Sequence, residues 1–450
     1  MIKHLFLAVL ILVSSNVQAQ SYEPKIDSLI QAYIKLNKFN GVALVTKNGN
    51  KVFEKAYGYS NKEKNILHTK ENIFLIGSLS KSFTATIIMK LVEEKKLSLD
   101  DKVTKYLPEY TVASQVTIQH LLTHTAGIYE IFRNPTYFKQ AYDSKRFSSE
   151  EKMSFFNTQP LDFVPGTKFS YSNSGYILLG IIIEIITKDT YENALKKYIL
   201  NPLKMNNTGY DYKQLKHEKK KVIGYSYLSK TRQIETKLWN ADLLFSSGAL
   251  YSSTADIYKF YKGLTSYKLL SKENLIQATN PFIGGYGYGW FIDSLANDRV
   301  INHGGNIDGF TSYLLFHPKN DICIILLNNI TSSTLETIGN SIFKILTDKP
   351  YNLPKPKQEI QIPQEELLKY IGSYKVSDDY IMKITVENAN LFLQINNEKK
   401  IKLSAESNKL FFIKDEDITL EFVSKDGNIS ELKLKQGLST KYGEKEVSTQ

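Results

Sequence analysis

Residues 76–85 read Ile-Gly-Ser-Leu-Ser-Lys-Ser-Phe-Thr-Ala. Three hydroxyls, Ser78, Ser80 and Ser82, open a run that continues TATIIMKLVEEKKL and is apolar on all sides. Serine favours helix starts, and an all-round apolar helix is a buried one. Residues i and i+3 share a helical face, so Ser78 and Lys81 stand side by side. A serine hydroxyl is a weak nucleophile until a base takes its proton. A lysine is a base only when burial or nearby cations depress its ammonium pKa. A helix start adds free backbone N–H groups and a partial positive field, both suited to an oxyanion. Alone, S-x-x-K is common and reads equally well as a cap followed by a surface lysine.

Around this stretch the chain is globular in composition. It has 450 residues, 42% of them apolar and 23% charged, enough for a large core and more than one domain. The start, MIKHLFLAVLILVSSNVQA, combines a basic Lys3, a short apolar run and Val17-Gln18-Ala19 as a small-x-small cleavage site. It reads as a bacterial-type secretory signal over residues 1–19, with no lipid-anchor Cys after it and no stable membrane anchor. The expected location is therefore periplasmic or secreted. The single Cys323 lies in DICIILLNNI and reads as a buried strand residue, with no cation beside it to hold a thiolate. A net charge of +11 comes from lysines spread along the chain. It does not resemble a nucleic-acid module.

The spacing of Ile26, Leu29, Ile30, Tyr33 and Ile34 predicts a helix over 24–38. GVALVTKNGNKVFEKAYG predicts a hairpin around Asn48-Gly49. From 100 to 215 the pattern is mostly helical, with 176–186 a core helix. After 240 it turns to strands, YGYGWFID, DRVINHGG, FTSYLLFHP and DICIILLNN, then a last helix, TLETIGNSIFKILTD. Strands at both ends with helices between predict an α+β domain over 20–351: an antiparallel sheet flanked by helices, plus a helical lobe. Residues 352–364 are proline-punctuated and read as a linker. Six short alternating runs beyond it predict a small all-β module, barrel or sandwich, over 365–450.

Two further segments raise the odds on Ser78 and Lys81. In FSYSNSGY (169–176), Tyr171 and Asn173 are two apart in an expected extended loop and point to one side. In INHGGN (301–306), at a strand edge, Gly304 and Gly305 let a substrate approach the backbone. The bland alternatives are a turn before a helix and a hairpin turn with an exposed His303.

Taken in order, Ser78-Leu79-Ser80-Lys81, Tyr171-Ser172-Asn173 and His303-Gly304-Gly305 resemble the three motifs of the serine β-lactamase and penicillin-binding protein superfamily. The likeness is to its class C β-lactamase and D-alanyl-D-alanine carboxypeptidase branch, which includes D-aminopeptidases and esterases. The flanks QHLLTHTAGI (119–128), PGTKFSYSNSGYILLG (165–180) and HGGNIDGF (303–310) are similar too, and the resemblance spans about residues 25–345. The stretch ELLKYIGSYKV (366–376) is similar to a small β-module often fused to such hydrolases.

The resemblance implies roles. Ser78 attacks a carbonyl and forms an acyl-enzyme. Lys81 and Tyr171 move protons. Asn173 holds a substrate amide, and the N–H groups of Ser78 and Asn306 form the oxyanion hole. It implies no cofactor. The expected substrates are small peptides ending in D-Ala-D-Ala, other D-amino-acid peptides, esters or β-lactams, with cell-wall peptide as a partner. His303 stands where a typical β-lactamase has lysine, and a mostly neutral histidine disfavours recognition of a β-lactam carboxylate. His120 and His124 have zinc-helix spacing but lack the Glu of H-E-x-x-H, and the family treats that segment as structural. No G-x-S-x-G pentapeptide supports a Ser-His-Asp hydrolase. The rival from another class is an idle penicillin-binding or cell-wall-sensing protein.

Overall fold

In the computed structural model, Asn48 and Gly49 both take positive φ, 51° and 75°, the conformation that lets a two-residue turn follow the twist of its strands. They join β1 (Gly41–Lys47) to β2 (Asn50–Tyr57). The structure describes residues 22–446 apart from 216–217, 230–231, 308, 378–379, 397, 415–417 and 437–438. The expected signal segment lies outside the described residues.

Four later strands complete one antiparallel sheet: β3 (Phe291–Leu295), β4 (Asp298–Ile307), β5 (Phe310–His317) and β6 (Ile322–Asn328), in the order β3-β4-β5-β6-β1-β2. Gly41 lies opposite Asn328, so the two ends of the domain meet in mid-sheet. β6 is apolar without alternation because both its faces are covered. Ile322, Ile324 and Leu326 pack with residues of helices α1 (Glu23–Lys35) and α6 (Leu335–Leu346). Cys323, Ile325 and Leu327 join the larger core. Burial pushes the Cys323 thiol well above its ordinary value.

That larger core holds α2 (Ser80–Glu93), α3 (Asn173–Thr187), α4 (Ala241–Gly248) and α5 (Thr254–Thr265). α2 ends sooner than its apolar pattern suggests. Lys95 takes a left-handed φ of 55°, and the N–H groups of Lys95 and Lys96 bond back to Val92 and Leu91, a Schellman termination. Two expectations need correction. Gly287–Trp290 is a loop rather than strand, Tyr286 meets Phe291 in a single antiparallel bridge, and the strand starts at Phe291. Asn173 is not in an extended loop: Ser172 caps α3, its hydroxyl accepting from Gly175 N–H, and Asn173 is the first helical residue.

Beyond α6, residues 347–363 lead to a helical turn at Gln364–Tyr370 and a closed eight-stranded barrel, Gly372–Ser377 to Ser439–Lys445. Its interior is filled by Tyr374, Met382, Ile384, Leu393, Phe422 and Leu432 among others. Closure leaves no open strand edge.

Candidate active site

Ser78 sits in a 3-10 turn, Gly77–Leu79, that runs straight into α2. The turn is pinned from behind. Ile76 N–H bonds to Leu250 O at 3.0 Å, and Ile76 O accepts from Ser312 Oγ at 2.7 Å. Ser80 and Ser82 are structural: Ser80 Oγ accepts from Leu250 N–H and Ser82 Oγ donates to Gly289 O. Gly77, at φ 51°, brings its α-carbon against the backbone of Asn306.

Lys81 is fully buried one turn on. Its ammonium donates to Ser78 Oγ at 3.0 Å, Asn173 Oδ1 at 2.8 Å and Ser247 O at 2.8 Å. Three acceptors fill its three donor sites. Burial lowers its pKa to about 7, against the opposing pull of Glu130. The Ser247 carbonyl reaches it because Phe245, at φ 43° and ψ −138°, breaks the helical path of α4. That conformation is costly for a side-chain-bearing residue. It also sends Ser246 O to Thr84 Oγ1.

The Tyr171 ring lies 4.8 Å from Lys81 Nζ, and its hydroxyl interacts with Ser78. Burial pushes the phenol pKa up, so it stays protonated. Asn173 is committed at both ends of its amide: Oδ1 accepts from Lys81, and Nδ2 donates to Glu130 Oε1 at 2.7 Å. Glu130 also accepts from Asn173 N–H. Sequence reasoning missed Glu130; only its place just after the HTAGI flank hints at it.

β3 begins only at Phe291, opposite Asn302. His303–Ile307 therefore have a partner on one side only, which leaves the expected strand edge open beside Ser78. His303 is buried. Its Nε2 meets Tyr286 Oη at 2.9 Å and its Nδ1 meets Gly304 O at 2.6 Å. A carbonyl only accepts, so the proton is on Nδ1. Burial, then Lys81, lowers its pKa to about 3. It presents no charge. The two glycines differ. A Cβ on Gly305 would fall 1.8 Å from Ile76 O, whereas one on Gly304 would make ordinary contacts of 3.5 Å or more. Gly305 is glycine so that β4 can lie against the Gly77–Leu79 turn.

His124 explains the HLLTH flank. Its Nδ1 accepts from Ser172 N–H at 3.0 Å, between Tyr171 and Asn173, and its ring stands 4.2 Å from that of Tyr171. Burial, then Lys81 and His303, holds it neutral. His120 Nδ1 accepts from Thr117 N–H. His124 is a positioning residue for the Tyr171–Asn173 segment. His124→Asn keeps an acceptor and tolerates the left-handed φ of 57°, and it should retain most activity. His124→Leu leaves a buried N–H unpaired, a cost of ~1–3 kcal/mol. It should lower kcat/KM by about tenfold or more in a chain that still melts cooperatively. Steady-state kinetics on the pair checks this.

Two cavities meet at Ser78 and Asn306. One, of about 440 Å³, is lined by Tyr171, His303, Asn302, Asp293, Tyr313 and Glu336 among others, with no Lys or Arg. Burial and the Asp293 charge raise the Glu336 pKa. The other, of about 240 Å³, is walled by Phe132, Phe138, Trp239 and Leu244. Phe132 and Phe138 are 39% and 43% exposed. No group of side chains suited to a metal ion occurs among the described residues.

A family model described as Beta-lactamase matches residues 26–346, and one described as Domain of unknown function (DUF3471) matches residues 356–450. Penicillin-binding protein 4* of Bacillus subtilis (strain 168) is 28% identical over 90% of this chain and 94% of its own. The octameric penicillin-binding protein homologue from Pyrococcus abyssi superposes with a TM-score of 0.64 at 27% identity, over 93% of this chain and 99% of that one. A D-amino acid amidase from Ochrobactrum anthropi SV3 gives 0.64 at 22% identity, over 72% and 98%, a likeness of fold. Since the matched model spans most of the chain and includes Ser78, Lys81, Tyr171 and His303, this chain belongs to the β-lactamase family and is a serine hydrolase.

Proposed function

We propose that the chain is an exported hydrolase that cleaves amide or ester bonds of D-amino-acid peptides through an acyl-enzyme on Ser78. The observation that carries this reading is the buried Lys81 amine, pKa about 7, at 3.0 Å from Ser78 Oγ. In the proposed cycle Lys81 takes the hydroxyl proton as Ser78 Oγ adds to the carbonyl. The N–H groups of Ser78 and Asn306 stabilise the oxyanion. The Tyr171 phenol protonates the leaving group and is reprotonated from Lys81. Water then adds to the acyl carbon and frees Ser78. Asn173, engaged with Lys81 and Glu130, keeps the amine aimed at Ser78. It meets a substrate amide only by exchanging one of those bonds.

The charge of the larger cavity disfavours a substrate carboxylate, whether a β-lactam's or that of a free D-Ala end, and favours amides and esters without one. Asp293 and Glu336 face it, His303 is neutral, and no lysine or arginine lines it. A β-lactam carboxylate finds no cation there. The aromatic cavity suits an apolar acyl side chain or an aryl ester, which keeps esterase activity as the second reading.

Intact-mass analysis tests the proposal. Acyl-D-alanyl esters should give a transient adduct on the Ser78 peptide, their L-epimers much less, and benzylpenicillin only a slow one. Equal acylation by both epimers would overturn the D-specific reading. No adduct from any of the three would favour the idle binding protein.

A further inference from the structure

A third cavity, of about 460 Å³, lies between the hydrolase domain and the barrel. Its walls come from five parts of the chain: the end of α1 with Lys35 and Lys38, Ser226–Leu228, Ile330 and Thr331, the segment with Lys355 and Lys357, and Phe412–Lys414 of the barrel. The segment is strapped to the barrel: Ile360 N–H bonds to Ala405 O at 2.9 Å, and Glu359 pairs with Lys414 at 2.6 Å. Five lysines and one carboxylate, Glu359, line the crevice. Among the described residues, neither Lys35 nor Lys355 is in an ion pair. Two aromatic side chains, Tyr227 and Phe412, flank the charges.

The crevice adjoins the catalytic cleft. Thr331 lines both it and the aromatic cavity that contains Ser78. The opposite arm of the cleft carries Asp293 and Glu336. The two ends therefore have opposite charge. Like charges repel and screening is weak inside a concave, partly dry groove. A chain bearing carboxylates is turned away from Asp293 and Glu336 and drawn towards the barrel.

We propose that the crevice between the hydrolase domain and the C-terminal barrel is an extended binding site for the carboxylate-bearing part of an acidic peptide whose scissile bond lies at Ser78. The barrel, together with the strap, then serves to close the far wall of this site. The continuity with Ser78 rests on the hydrolase reading above, whereas binding in the crevice does not.

Binding is measured on the full-length Ser78→Ala chain, where turnover cannot intervene, by fluorescence anisotropy of a short labelled oligoglutamate. Neither Lys35 nor Lys355 supports the fold through an ion pair, so Lys35→Glu/Lys355→Glu is the test variant. Lys425→Glu/Lys435→Glu, the same charge change on barrel strands that do not line the crevice, is the control. The test variant should weaken binding by about tenfold or more, the control by less than about twofold, and added salt should weaken the parent. Equal losses in both variants would mean attraction by net charge alone and would overturn the proposal. Binding of triphosphate by titration calorimetry, with no binding of oligoglutamate, would overturn the carboxylate assignment. A second measurement uses the active chain: oligoglutamate should inhibit hydrolysis of a neutral ester, and inhibition should vanish in the test variant. Binding without inhibition would separate the crevice from the cleft and overturn the shared-substrate claim, leaving the Ser78 chemistry untouched.

Discussion

Lys81→Ala is expected to lower the acylation rate by a factor of about 10²–10⁴, the range for removal of a positioned general base, and Ser78→Ala to abolish acylation. The effect is large because nothing else near Ser78 Oγ accepts a proton near neutrality. The Tyr171 phenol is pushed up by burial and stays protonated. His303 and His124 are neutral, but each ring already has a fixed bond, to Gly304 O and to Ser172 N–H respectively. Only Lys81 combines contact with a pKa of about 7. The sign of the pH dependence follows. Below about pH 7 the ammonium holds its proton and cannot take that of Ser78; above it the amine is free. Acylation should therefore rise through about pH 7 to a plateau, read as single-turnover burst rates. Glu130 raises the Lys81 pKa, so Glu130→Gln should move the rising limb to lower pH. A limb that stays in place would mean Glu130 acts only by holding Asn173. Small primary amines should partly rescue Lys81→Ala but not Ser78→Ala, which separates a missing base from a collapsed site.

How much of this was legible in the sequence depends on the range over which each feature is set. The β1–β2 hairpin was legible because Asn48-Gly49 carries its own backbone preference. The core role of β6 was legible because a strand covered on both faces leaves an unbroken apolar run. Six barrel strands alternate visibly, but the first and last, GSYKVS and STKYGEK, do not. They are strands because each pairs with its neighbour along the chain and closure pairs them with each other. In the site, Ser78 and Lys81 are local, while Tyr171, Asn173 and His303 were found through resemblance. Glu130, Ser247 and Tyr286 were not found. Each acts through tertiary placement: Ser247 by a backbone carbonyl that the Phe245 kink turns inward, Glu130 by bonds to a residue 43 positions away. Neither a carbonyl nor a kink at phenylalanine has a residue-type signature. His124 was visible as half of a zinc-like pair, and its use became clear only when Ser172 N–H came to rest on it.

Gly305→Ala is expected to damage both the stability and the turnover of the catalytic domain. A Cβ there would fall 1.8 Å from Ile76 O and 2.6 Å from Ser312 Oγ, and neither can yield cheaply. Ile76 O is backbone, one residue before the Gly77–Leu79 turn, and Ser312 Oγ is the donor that holds that carbonyl. Strand and turn must therefore separate. Overpacking of this kind costs about 1–3 kcal/mol of stability. The same movement withdraws Asn306, whose backbone lies against Gly77, from the carbon that Ser78 attacks in the proposed cycle. Losing one oxyanion donor lowers kcat by about 10²–10³. Gly304→Ala is the matched control. Its Cβ would meet Ser312 O at 3.5 Å and Tyr313 Cδ2 at 3.7 Å, so the variant should fold with near-native stability. If Gly304 is needed instead for close approach of substrate, Gly304→Ala will raise KM while kcat holds, and Gly305→Ala will lower kcat. Thermal melts and steady-state kinetics on the two variants read out both terms. Equal, mild effects would mean that β4 does not press on the Gly77–Leu79 turn, and the proposed oxyanion role of Asn306 would fall with it.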